Sequence, residues 1–160
     1  MIAGERRALE GWLEYHRATL LHKCAGLTGD QLIERAVAPS SLSLLGLVRH
    51  MTEVERGWFR RNSGGQSELG EVYCTEEERD GDFDLTNASG AETDLATFAA
   101  ECALATQAVA GKSLDDTFTH PRTGNSIDLR WVYVHMIEEY ARHNGHADLL
   151  REQIDGATGD

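Results

Sequence analysis

Apolar residues recur at steps of three and four along most of this chain, which is the spacing of one face of an α-helix. The spacing predicts long helices over residues 4–24, 42–61, 92–109 and 126–154, with a short helix or turn over 28–37. No stretch shows convincing strand-type alternation. Four long helices in 160 residues predict an all-α four-helix bundle.

Residues 62–90 interrupt the helical pattern. The segment is rich in glycine and contains the acidic run EVYCTEEERDGDFD. We predict a long, irregular crossover connection here, which would let the helices on either side run parallel instead of antiparallel. A connection of this length is often functional, for example as a lid. A second, turn-rich loop with the pair Gly124-Asn125 is predicted before the last helix.

The core-facing seam of the last helix is apolar at both ends and polar in its middle. At heptad-like spacing its members are Leu129, Val132, Met136, Glu139, His143, His146, Leu150 and Ile154. The two ends are apolar, as expected of a stripe that faces a core. A buried carboxylate without a partner is costly, so the middle of the seam needs a partner, and a metal ion is a suitable one.

Spacing supports a metal site at Glu139 and His143. The two residues are i and i+4, so their side chains lie over one another on one helix face. The H-E-x-x-H helix of zinc proteases binds its ion with the same spacing. His50, in the run LLGLVRHMTEVE, borders an apolar stripe and is the candidate third ligand. Three protein ligands leave an open coordination position.

Other interpretations of these residues stay open. A Glu–His pair at i, i+4 is often only a surface ion pair, and His50 alone could be a packed or exposed histidine. A structural metal site would be closed by a fourth ligand, for which His146 is the candidate. We expect Glu53 and Glu55 on a solvated face. No catalytic residue is singled out by the sequence.

Charge narrows the range of partners. With 15 Lys and Arg against 27 Asp and Glu, the formal net charge is −12. Such a chain repels phosphate backbones and anionic lipid surfaces, so neither nucleic acid nor a membrane is expected as a partner. The first residues lack the apolar stretch of a signal peptide, and no run is long enough to span a membrane.

Cysteine usage points to a reducing compartment. Cys24, Cys74 and Cys102 are odd in number and widely spaced, and no C-x-x-C pair occurs. Neither a disulfide framework nor a zinc ribbon is indicated. We expect reduced thiols and a cytoplasmic location.

Two segments of the sequence resemble a known family. LSLLGLVRHMTEVERGWF and HMIEEYARHNGHADLLRE resemble the DinB-like superfamily, and within it the mycothiol-linked actinobacterial branch, many of whose members are domains of unknown function. The resemblance covers nearly the whole chain. It implies a single DinB-like four-helix-bundle domain over residues 1–160. It also implies a homodimer, because relatives are often dimeric.

The resemblance also implies a metal held by His50, Glu139 and His143. In many relatives all three ligands are histidines, and here Glu139 stands where they have one of them. Mycothiol-dependent maleylpyruvate isomerase relatives have the same His, Glu, His arrangement. The implied cofactor is a divalent metal, zinc first with nickel or iron(II) as alternatives. Mycothiol is the implied co-substrate.

The function expected from this resemblance is metal-dependent transfer of a small thiol, of the mycothiol type, to an electrophile. A metal with an open position favours the thiolate over the thiol. Two alternatives remain at this point. One is a metal-dependent hydrolase, and the other is a non-enzymatic metal-binding stress protein.

Overall fold

Helices make up most of the structure, as the all-α prediction requires. The computed structural model describes residues 3–84 and 86–159. Its helices are α1 (Glu5–Cys24), α2 (Gly29–Leu32), α3 (Leu44–Glu55), α4 (Gly81–Asp84), α5 (Ala91–Val109) and α6 (Leu129–Asp155). A π-helix (Arg56–Ser63) continues α3, a 3₁₀ turn (Ala88–Gly90) precedes α5, and two short strands, β1 (Thr117–Thr119) and β2 (Ser126–Asp128), precede α6. Among the helices so described, none is long and apolar enough to cross a membrane.

Side-chain caps set the boundaries of the two helices that carry the predicted ligands. The Ser43 side chain accepts a hydrogen bond from the Gly46 backbone N–H at the start of α3. Asp128 does the same for the Trp131 N–H at the start of α6, which ends at Gly156 with φ 79°. Each cap satisfies a backbone group that the helix itself leaves unpaired. The predicted start of the last helix at residue 126 was therefore three residues early.

Helices α3 and α5 run parallel, as predicted from the long crossover. The middle of α3 pairs with the start of α5, where Arg49 lies 3.9 Å from Asp94. Two to three turns further on, Arg56 and Arg60 both bind Glu101, at 3.0 and 2.9 Å. Parallel neighbours cannot be joined by a tight turn, so the crossover segment, residues 64–90, returns the chain to the other end of the bundle.

A small β-hairpin replaces part of the predicted loop before α6. Strands β1 and β2 pair antiparallel, with Phe118 opposite Ile127. Both side chains pack against the core. Gly124 in the connecting loop has φ 71°, a conformation that favours glycine. The sequence shows no convincing alternation here, because three-residue strands are too short to produce a recognisable one, and the all-α class is unaffected by so small a sheet.

A buried charged network joins the four long helices. Arg17 on α1 donates two hydrogen bonds, of 2.7 and 2.6 Å, to Glu55 at the end of α3. Arg17 also donates to Thr106 on α5, and the Tyr140 hydroxyl on α6 donates to Glu55 at 2.8 Å. Glu55 is 0% exposed, so the expectation of a solvated face was wrong for this residue.

The network is stable because its charges are paired and hydrogen-bonded. Burial alone would lower the pKa of Arg17, but the neighbouring Glu55 outweighs burial and raises that pKa further above its usual range. Burial, together with Glu55, also raises the pKa of Tyr140 well above its usual value, so the phenol stays a donor. Removing one partner would leave the other charge buried and uncompensated.

We expect Arg17→Met to lower the free energy of unfolding by about 3–5 kcal/mol, because Glu55 would lose its counter-ion inside the bundle. Arg7→Met is the matched control, since Arg7 lies exposed on the same helix. Its effect should stay within about 0.5 kcal/mol. Urea unfolding followed by circular dichroism measures both. Equal effects of the two substitutions would contradict the central role of the buried pair.

Candidate metal centre

The structure brings the three predicted ligands together. His50 on α3 faces Glu139 and His143 on α6, and one potential ligand atom from each residue lies within 4.8 Å of the others. The rings of His50 and His143 have their centroids 4.8 Å apart. His143 Nε2 lies 3.5 Å from Glu139 Oε2. The arrangement fits one cation among three side chains, and metal binding itself stays a prediction.

His143 has the protonation state that a ligand needs. Burial, and then the neighbouring His50, lower the pKa of His143 to about 4, so its imidazole is neutral at pH 7. Its Nδ1 atom is buried and has no hydrogen-bond partner among the described residues. A buried nitrogen without a partner is costly. A neutral ring with an unpaired buried nitrogen fits a group that binds a cation.

Asp82 orients His50 from the crossover segment. His50 Nδ1 lies 2.9 Å from Asp82 Oδ2, across 32 residues of sequence. Asp82 lies on α4 and is only 5% exposed, and the neighbouring Phe83 ring stacks on His50 with centroids 4.9 Å apart. A carboxylate accepts, so Nδ1 carries the proton and Nε2 is left to face the centre. Carboxylate–histidine pairs of this kind orient metal-binding histidines.

A second group of potential metal ligands lies beside the first and shares Glu139 with it. His135, Glu138 and Glu139 also have potential ligand atoms within 4.8 Å of one another, and His135 Nε2 is 3.6 Å from Glu139 Oε1. All three lie on adjacent turns of α6. Glu138 is exposed and ion-paired with Arg142. The first group is the better centre, because two helices converge on it and its carboxylate is not held by an arginine.

His146 lies next to the centre without joining it. Its ring centroid is 5.5 Å from that of His143, and its Nδ1 atom is buried without a partner in the described part of the chain. The close group contains three side chains and does not include His146. Three ligands without a fourth leave a coordination position open.

A cavity of about 450 Å³ opens beside His50. Three parts of the chain form it: α3 with its π-helical continuation, the crossover segment, and the turn of the hairpin. Its lining residues are His50, Glu53, Val54, Gly57, Trp58, Arg61, Asn62, Glu71, Cys74, Asp82, His120, Pro121 and Arg122. Cavities of this size accept small molecules.

Trp58 is the aromatic centre of this region. Its ring centroid lies 5.5 Å from that of His120, 5.4 Å from that of Trp131 and 4.8 Å from that of His135. The π-helical turn that holds Trp58 is a rare conformation that occurs often at functional sites. The cluster joins the hairpin, the π-helix and α6, and two of its members, Trp58 and His120, line the cavity.

The cysteines are unsuited to act as nucleophiles. Burial raises the pKa of Cys24 to about 12, and burial also raises the pKa of Cys102. Cys74 lines the cavity, but burial raises the pKa of its thiol too. Only the thiolate is a good nucleophile, so a thiol reaction in this cavity would have to use a thiol from a bound molecule.

Glu53 holds the crossover segment against the cavity. Its Oε1 atom accepts hydrogen bonds from the backbone N–H groups of Val72, Tyr73 and Cys74. Three donors on one carboxylate oxygen form charge-assisted bonds, which are stronger than neutral ones. The prediction of an irregular crossover is confirmed, and the segment contributes Asp82 and Cys74 to the site.

In comparison with known proteins, the family model described as mycothiol-S-transferase matches residues 8–156. No curated protein and no solved structure matches the chain.

We expect Glu53→Ala to release the backbone of residues 72–74. A hydrogen bond to a charged group contributes about 1.5–3 kcal/mol, so amide exchange there should accelerate roughly 10- to 100-fold. Hydrogen exchange with mass spectrometry measures this. Glu76→Ala is the control, because Glu76 is an exposed glutamate of the same segment. Unchanged exchange in Glu53→Ala would show that other contacts hold the segment.

Proposed function

The chain belongs to the mycothiol S-transferase family, and from that premise we propose that it transfers a low-molecular-weight thiol of the mycothiol type to an electrophile, at a divalent metal held by His50, Glu139 and His143. The observation that carries the metal part is the convergence of these three side chains, of which His50 also lines an open cavity. Zinc is the first candidate for a His₂Glu centre, with nickel and iron(II) as alternatives.

The metal's contribution would be electrostatic: a divalent cation with an open position lowers the pKa of a thiol, so that the thiolate is present at neutral pH. The protein would supply the geometry. His50, held by Asp82, would present Nε2, and neutral His143 would present a nitrogen without first losing a proton. Glu139 would add one negative charge, so the centre would keep a net positive charge toward an anionic sulfur.

The cavity supports a polar, sugar-sized thiol. Trp58 offers an apolar ring face, while Arg61 and Asn62, from the same π-helix, offer hydrogen-bond donors. Aromatic faces and donors together suit a molecule that carries both hydroxyls and ring faces. Since the protein's own cysteines are protonated, the reacting sulfur would come from the bound thiol.

The two alternative functions, a metal-dependent hydrolase and a non-enzymatic protein with a structural metal, are less well supported. A hydrolase would use the same centre with water, and nothing in the cavity favours water over a thiol. A purely structural metal would not need a cavity next to its ligands or a centre of only three side chains. The single-domain organisation over residues 1–160 and the homodimer are part of the proposal and follow from the family resemblance.

We expect the purified, untagged protein to carry about one zinc-like ion per chain, and His143→Ala to lose it. His22→Ala is the control, because His22 is an exposed histidine on α1. Elemental analysis after gel filtration measures the content. If the wild type has no metal and added zinc or nickel neither binds nor raises the melting temperature, the metal part of the proposal fails.

We expect Asp82→Asn to weaken metal affinity about 10- to 100-fold, because an amide holds the His50 ring less firmly in the required tautomer. Asp84→Asn is the matched control on the same short helix, where Asp84 is exposed and pairs with Arg35. Competition against a chromogenic chelator measures both. Equal affinities for Asp82→Asn and the wild type would show that Asp82 does not act through His50.

A further inference from the structure

His120 lies in the turn of the hairpin. Hydrogen bonds fix its backbone, and two contacts from Thr123 fix its ring. Its side chain is 7% exposed. Its backbone N–H donates to Asn125 at 2.8 Å, and its carbonyl accepts from the Gly124 N–H at 2.8 Å. The Thr123 backbone N–H points at His120 Nδ1 from 3.3 Å, and the Thr123 hydroxyl lies 3.2 Å from the same nitrogen.

These contacts decide where the ring carries its proton. A backbone N–H can only donate, so His120 Nδ1 must accept, and the proton of the neutral ring is on Nε2. In the described parts of the chain, no hydrogen-bond partner lies at Nε2. The ring packs against Trp58 and belongs to the lining of the cavity that also contains His50. The hairpin therefore places an N–H donor, which has no protein partner among the described residues, in the wall of the cavity that His50 also lines.

We propose that His120 is a catalytic residue, which donates its Nε2–H to an oxygen of the electrophile on which negative charge develops during thiol transfer. The proposal rests on the proposed function and extends it to the class of electrophile: a conjugated carbonyl compound. His120 acts as a hydrogen-bond donor and does not give up its proton. A neutral imidazole that lost Nε2–H would become an anion. Fixed donors of this kind stabilise an oxyanion without rearranging.

The step balances without an oxidant or reductant. The thiolate sulfur forms a bond to the β-carbon of an α,β-unsaturated ketone. The π pair of the C=C bond forms a double bond between the α-carbon and the carbonyl carbon, the π pair of the C=O bond moves onto the oxygen, and the resulting enolate oxygen accepts the His120 hydrogen bond. Water then protonates the α-carbon and so returns the proton that the thiol lost, giving a thioether. With an alkyl halide, the carbon–halogen bond breaks and halide leaves to solvent, so no oxygen gains charge and His120 has no role.

The first test compares two electrophiles on the metal-loaded protein with mycothiol. With cyclohex-2-enone, His120→Phe should lower kcat roughly 100-fold, the size of effect seen when one oxyanion donor is removed. With benzyl chloride, kcat should change less than about twofold. His120→Gln keeps a donor near the Nε2 position and should recover part of the loss with the ketone only. Metal content should match the wild type in both variants. Equal losses with both electrophiles would overturn the proposal.

The second test does not depend on turnover. Nitrogen-15 NMR of the histidine rings should show His120 as the neutral Nε2–H tautomer, assigned by the loss of its signals in His120→Phe. The thioether adduct of mycothiol and cyclohex-2-enone, prepared chemically, should shift the Nε2–H proton signal. A proton on Nδ1, or no shift with saturating adduct, would overturn the proposal. If the adduct shifts the signal while the wild type transfers thiol to neither electrophile, the proposed transferase function fails and the donor role of His120 toward a carbonyl oxygen stands.

Discussion

The buried pair of Arg17 and Glu55 fixes the geometry on which the candidate centre depends. Glu55 accepts hydrogen bonds from Arg17 on α1 and Tyr140 on α6, and Arg17 also donates to Thr106 on α5, so the Arg17–Glu55 pair links all four long helices. Because α3 and α6 run antiparallel, the residues one turn beyond this contact face each other. Those residues are His50 on α3 and His143 on α6, whose rings lie 4.8 Å apart. A charged pair that is costly to misalign therefore sets the register of the two helices that carry the predicted ligands.

The candidate metal centre lies on long helices, whereas the residues that surround it lie in the segments that connect the helices. The three predicted ligands are on long helices, whose packing against the core places them firmly. Asp82 and His120, which orient a ligand and offer a donor, come from the crossover segment and the hairpin turn. Side chains on rigid helices are positioned precisely, while loops contribute functional side chains from distant parts of the sequence. In this protein each loop is itself held, by Glu53 in one case and by β-pairing in the other.

The sequence predicted Glu139 and His143 from their local spacing and His50 from its place beside an apolar stripe, and it missed the other residues whose relation to the site is distant in sequence. Glu139 and His143 are one turn apart, so spacing alone placed them on one face. Glu55 was misassigned although a signal existed, because it continues the stripe of Val48 and Met51 at steps of three and four residues and lies on the buried face. Asp82 had no such signal: it is one of many acidic residues in an irregular segment. His120 gave none either, since its role depends on a turn formed by strands of three residues.

Because the crossover segment is anchored at Glu53 and Asp82, the shape of the cavity mouth can change in evolution without a change in the stability of the bundle. Between those anchors, residues 75–80 are exposed, and extra length in such a loop adds little entropic cost. Insertions and substitutions there would reshape the mouth of the cavity while the helix-borne ligands and the buried core stay as they are. Descendants of this chain could thus diverge in the molecules they admit and still inherit an intact bundle.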